Sequence, residues 1–110
     1  MTMNAPELGR LQLAVLVAVA KLGDDAYGLG VRREVSDVRG RDYSVGAIYT
    51  TLSRLEEKGF LDSWETDPRP ERGGRSRRQY EVTAAGRSAL RRAGRVAARL
   101  WDLGPGVEPA

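Results

Sequence analysis

Residues 44–61, SVGAIYTTLSRLEEKGFL, restrict the fold of this chain more than any other stretch. At about 100° per residue, Val45, Ile48, Leu52 and Leu55 fall in one sector. Gly46, Ala47, Thr50, Ser53, Arg54 and Glu57 fall in the opposite one, with Tyr49 and Thr51 on the flanks. The pattern predicts a helix with one face in a core. Ser44 is placed to cap its start, Gly59 to end it, and Lys58 sits in the last turn, where the helix dipole favours a cation. The polar face is small and uncharged over its first turns, and the acids Glu56 and Glu57 come only in the second half. Thr is a poor helix former, so the Thr50-Thr51 pair has no folding reason to be there. A bland helix start suits close approach to a major groove about 12 Å wide, where Thr and Ser meet base edges or phosphates and the helix N-terminus presents its N–H groups.

The rest of the chain arranges itself around that helix. Leu8–Leu22 is apolar nearly all round, which predicts a helix buried on more than one side. Gly23-Asp24-Asp25 is a stop-and-restart signal, with Asp25 as the expected N-cap of a second helix over Ala26–Val38. Its Tyr27, Val31, Val35 and Val38 share one face, and Gly28 and Gly30 imply a closely packed neighbour. Phe60–Thr66 and Gln79–Thr83 alternate as strands. Between them, Asp67–Arg77 is too long and too polar for a tight turn. Thr83 is placed to cap a last helix over Ala84–Leu103, ended by Gly104-Pro105-Gly106.

This order (three helices, a strand, a basic loop, a strand, a helix) predicts a mainly α fold with a small β-hairpin. It is the plan of a winged helix-turn-helix with an additional C-terminal helix. Residues 1–83 would form the winged helix, residues 84–104 a dimerisation helix and residues 105–110 a tail. At 110 residues the core stands alone only marginally, and the first helix is expected to meet a second subunit.

Charge is unevenly placed. The net value is only +3, but DPRPERGGRSRR (67–78) holds five Arg against Asp67 and Glu71. Arg72, Arg75, Arg77 and Arg78 are therefore candidates for neutralising phosphates or entering a minor groove beside the recognition helix. On the last helix, Arg87, Arg91, Arg92, Arg95 and Arg99 occur with no acid among them. Its other side, Leu90, Ala93, Val96, Ala97 and Leu100, has a 3.5-type repeat that suits packing against another helix, and Trp101 extends it. Leu11, Val15 and Val19 are the matching candidates on the first helix.

Absences narrow the chemistry. The chain has no Cys and no His, which removes disulfides, thiolate nucleophiles, zinc-finger ligation and His general bases. No phosphate loop, nucleophile elbow or metal-ligand cluster is present, so neither catalysis, metal nor cofactor is expected. Leu13–Ala20 is far shorter than the roughly 18–20 residues a membrane span needs. A cytoplasmic location is expected.

Three stretches together resemble the PadR family of bacterial transcriptional regulators: Gly23-Asp24-Asp25-Ala26-Tyr27-Gly28, SVGAIYTTLSRLEEKGFL and ERGGRSRRQYEVTAAGRSAL. The length is similar to that of the family's compact branch, which carries a single C-terminal helix. The resemblance implies a homodimeric repressor whose first and last helices build the dimer and whose recognition helices enter successive major grooves of a pseudo-palindromic operator in double-stranded DNA. Carried onto this chain, it marks Tyr49, Thr50, Arg54, Lys58, Arg75 and Arg77 as matching DNA-contacting elements. Ser44, Ala47, Thr51, Arg72 and Arg78 complete the candidate surface from their places on the helix and wing. Some members bind phenolic or flat hydrophobic molecules between subunits, which makes an effector-responsive sensor one alternative. The other is a winged helix that docks an acidic protein.

Overall fold

The computed structural model describes residues 8–66 and 77–102. Its elements are α1 (Arg10–Leu22), a single 3-10 turn (Gly23–Asp25), α2 (Gly28–Arg39), α3 (Val45–Glu57), β1 (Leu61–Glu65), β2 (Arg78–Val82) and α4 (Ala84–Trp101). Among the described residues, no helix is long and apolar enough to cross a membrane.

α1 is the centre of the fold. It packs against α2, α3, β2 and α4. Its Val15, Leu16, Ala18 and Val19 are buried with Val31 and Val35 of α2, Ile48, Leu52 and Leu55 of α3, and Leu61, Tyr80 and Val82 of the hairpin. This corrects one expectation. Val15 and Val19 were candidates for a subunit contact, but they face the chain's own core and are closed to a partner. Four buried positions spaced i, i+1, i+3, i+4 make a stripe wide enough to serve several neighbours within one protomer. The large apolar residue that α1 leaves exposed is Val17.

α2 starts two residues later than its pattern suggests. Asp25 lies in the 3-10 turn and does not cap it; Tyr27 holds the N-cap position in extended backbone. The reason is a pairing the sequence does not announce. Ala26 accepts a hydrogen bond from the Tyr80 amide at 2.9 Å, and Tyr27 forms an isolated antiparallel bridge with Gln79. β2 therefore pairs on both edges, with β1 on one side and with this short extended link on the other. The buried Gln79 amide seals the join by donating to the carbonyl of Gly23 at 3.0 Å. Val38, grouped with the core face, sits in the last turn of α2 and is exposed, as is Val45 in the first turn of α3.

α3 is closed at both ends by local chemistry. The Ser44 hydroxyl accepts from the Ala47 amide at 3.0 Å. At the other end Gly59 takes φ +81°, a conformation that side chains disfavour, so the Phe60 amide reaches back to Leu55 and the Gly59 amide to Glu56, both at 2.9 Å. Phe60 and Leu55 are both buried, which supplies the apolar contact that accompanies this type of stop. The chain leaves directly into β1, whose register runs from Leu61 opposite Val82 to Glu65 opposite Arg78. Thr83 then caps α4 by accepting from the Gly86 amide at 3.0 Å, and its hydroxyl donates to the Gly59 carbonyl at 2.6 Å. The end of α3 and the start of α4 are thus tied together.

Candidate nucleic-acid interface

The angle between α2 and α3 is set by Tyr43, which is nearly buried in the link between them. Arg32 Nε donates to its carbonyl at 2.6 Å, Arg39 Nε donates to its hydroxyl, and its own amide donates to Ser36 Oγ at 3.3 Å. The Arg41 guanidinium lies 4.9 Å from the Tyr43 ring centroid. Four residues of α2 and its exit loop therefore hold the segment that leads into α3, and α3 cannot pivot freely.

On α3, Ser44, Gly46, Thr50, Ser53, Arg54, Glu57 and Lys58 are exposed and Ala47 is half-buried. The Lys58 ammonium donates to Gln12 Oε1 at 2.9 Å, which anchors it beside α1 while leaving it in solvent. Thr51 departs from expectation. It is only 8% exposed, and its hydroxyl donates to the Ala47 carbonyl one turn back at 2.7 Å. A donor already engaged on the helix, in a residue that faces the core, cannot read a base, so Thr51 leaves the candidate surface. Thr50, one position on, points the other way.

Tyr49 is 38% exposed, and its ring lies across the start of α2. A Cβ at Gly28 would overlap the Tyr49 hydroxyl and ring, so Gly28 is the notch that lets the two helices close. The close neighbour inferred from Gly28 is thus the tyrosine of α3.

Arg77 and Arg78 form the root of the wing. The Arg77 guanidinium stacks 4.4 Å from the Tyr27 ring centroid, and its backbone pairs with Thr66, whose amide donates to the Arg77 carbonyl at 2.7 Å. Arg77 is half-buried, a position that suits holding the wing against α2 more than free reach. Arg78 is exposed and donates to Ser63 Oγ at 3.4 Å. Arg72 and Arg75 lie outside the described residues. Tyr27, Tyr49, Leu29, Arg33 and the two arginines line an open concavity of about 960 Å³ between α2, α3 and the wing. Its lining also carries three acids, Asp25, Glu34 and Asp37, of which Glu34 is paired with Lys21.

The neighbouring Tyr80 hydroxyl is pushed above its ordinary value, first by burial and then by Tyr49 and Glu56, with Arg78 opposing. It stays protonated at neutral pH and adds no charge to the surface. Among the described residues no group of acids is placed to hold a metal.

Sequence reasoning missed Tyr27, Tyr43 and Gln79, which position the surface without forming it. Tyr27 carried a signal in the adjacent Gly28. Gln79 carried none, because a buried glutamine in a polar strand looks like any other.

A family model described as the transcriptional regulator PadR-like family matches residues 15–92. No curated protein matches the chain. Among solved structures, a PadR-like transcription factor from Bacteroides fragilis superimposes with a TM-score of 0.72 at 20% identity, covering 84% of each chain. A PadR family transcription regulator from Clostridium difficile R20291 gives 0.68 at 22% identity, covering 86% of this chain and 94% of that one. RosR of H. salinarum gives 0.68 at 25% identity, covering 89% of this chain and 82% of that one.

Proposed function

Since the chain belongs to the PadR-like family of transcriptional regulators, and is a regulator and not an enzyme, we propose that it works as a cytoplasmic homodimer that represses transcription by occupying an operator in double-stranded DNA. The observation that carries this reading is the outward face of α3. Thr50, Ser53 and Arg54 stand exposed on a helix pinned by Tyr43 and Tyr49. In this reading α3 enters the major groove. Ser44, Ala47 and Thr50 approach base edges or phosphate, while Arg54 and Lys58 reach the backbone. Arg78 adds a phosphate contact from the wing, and Arg72 and Arg75 extend it. Arg77 and Tyr49 act mainly as positioning residues.

The dimer reading is supported by what α4 leaves uncovered. Only Gly86 and Ala89 of this helix are buried. Leu90, Ala93 and Leu100 are half-buried, Ala97 is exposed, and Val96 and Trp101 are 57% and 71% exposed. These form one stripe, which a second copy would cover together with Leu11 and Val17 of α1. Residues 1–83 then serve as the DNA-binding unit and 84–104 as the dimerisation helix; the tail, residues 105–110, lies outside the described residues. A small hydrophobic effector seated at that interface is a second reading, favoured by the open ring of Trp101.

The experiment that tests DNA binding is a salt titration over a panel of labelled duplexes. Affinity falls steeply with salt because arginine and lysine displace counterions from phosphate. Thr50→Ala reorders the panel and leaves the salt slope unchanged, since a hydroxyl makes no ionic contact. An unchanged ranking removes Thr50 as a reader. Absence of duplex binding at physiological salt favours the protein-docking alternative.

A further inference from the structure

The function proposed above leaves one strongly charged surface unused. Arg87, Arg91, Arg92, Arg95 and Arg99 are all exposed on α4. At about 100° per residue they fall within an arc of roughly 140°, opposite the apolar stripe. Within α4 only Ala84, Ser88 and Ala98 share that arc, with the C-cap Asp102 following at its end.

No counter-ion explains the arrangement. Lys21–Glu34 is the sole ion pair among the described residues; no acid occurs within α4, and Asp102 at its C-cap makes no ion pair with the arginines. Arg87 donates to the Val82 carbonyl at 3.1 Å and Arg91 to Ser88 Oγ at 3.0 Å, which leaves most of the guanidinium donors free. The face also opposes helix stability. Like charges four apart repel, and three such pairs run in series: 87–91, 91–95 and 95–99. Arg87 stands in the first turns, where the dipole disfavours a cation.

We propose that this arginine face is a second anion-binding surface, which takes the phosphate backbone of duplex DNA outside the segment held by α3 and the wing. The proposal rests on the DNA-binding reading above. Its chemistry selects a phosphate backbone over a protein. The arc has no large apolar or aromatic side chain to anchor a protein interface core, and all its cations are Arg, whose planar fork matches phosphate oxygens in pairs. From Arg87 to Arg99 the helix rises about 18 Å, a length along which one DNA strand places about five phosphates.

The test uses the full chain and a labelled random-sequence duplex several helical turns long, titrated with salt. Arg91→Gln/Arg95→Gln/Arg99→Gln lowers affinity by about tenfold or more at low salt and makes the log–log slope shallower by about 2–3 per chain. Arg54→Ala/Lys58→Ala lowers affinity by itself, and the two sets of losses add because they act at separate surfaces. The charge-preserving variant Arg91→Lys/Arg95→Lys/Arg99→Lys keeps the wild-type slope. An unchanged slope in the Gln variant overturns the proposal while leaving α3 binding intact, whereas absence of duplex binding by the wild type removes the parent reading as well. A Lys variant that loses the slope as fully as the Gln variant traces the effect to folding and also overturns it. A Gln variant that keeps its duplex slope but no longer binds phosphatidylserine vesicles assigns the face to a membrane surface instead.

Discussion

At the scale of single residues, the helical wheel of 44–61 placed Thr50 outward and left Thr51 on the flank. A flank position is decided by what packs beside it, which one sequence does not reveal, and here the core took Thr51. Glycines were more informative, though unequally so. Gly28 and Gly86 both leave no room for a Cβ, but their neighbours differ. At Gly28 the obstacle is the far end of the Tyr49 side chain, which can swing into solvent. Gly28→Ala therefore costs little stability, below about 1 kcal/mol, and instead weakens duplex binding by releasing Tyr49. At Gly86 the obstacle is the Phe60 carbonyl, which is backbone. Gly86→Ala forces α4 off the α3–β1 corner and costs about 2–3 kcal/mol, despite the better helix propensity of alanine. Urea denaturation paired with duplex titration separates the two; equal stability losses contradict the assignment of the neighbours.

At the scale of elements, the helix ends were legible where a side chain caps locally. Ser44, Gly59 and Thr83 do what their types suggest. The start of α2 was not legible from Asp25, because a tertiary pairing with β2 keeps Ala26 and Tyr27 extended and overrides the local signal. The same link fixes the wing. Tyr27 holds the Arg77 guanidinium on its ring, a contact of about 0.5–1 kcal/mol where partly exposed. Tyr27→Leu keeps the apolar bulk and removes the ring quadrupole. The fold survives with a stability loss of about 1 kcal/mol, and duplex affinity drops because the wing root is no longer held. Amide exchange at Arg77–Gln79 should quicken in this variant. Unchanged exchange there would contradict the role given to the stack.

At the scale of the whole molecule, fold class and element order were legible because amphipathic periodicity and turn chemistry agree along the chain. The surface proposed for a subunit contact was only half legible. The apolar repeat of α4 was visible, whereas Val15 and Val19 of α1 turned out to be buried in the chain's own core, since an apolar helix does not show which of its sides meets its own chain. With Val17 the large apolar residue exposed on α1, and Val96 and Trp101 those on α4, Val96→Glu/Trp101→Glu is expected to give a folded monomer by sedimentation, with duplex affinity reduced at least a hundredfold as two linked half-site contacts become one. A variant that still sediments as a dimer places the interface elsewhere. The central claim, a two-fold DNA-binding regulator, is tested most directly by selecting bound duplexes from a random-sequence pool and reading their consensus. The account predicts an inverted repeat with half-site centres about 10–10.5 base pairs apart or a multiple of that; a pool with no enriched motif, or with a single unrepeated half-site, would contradict it.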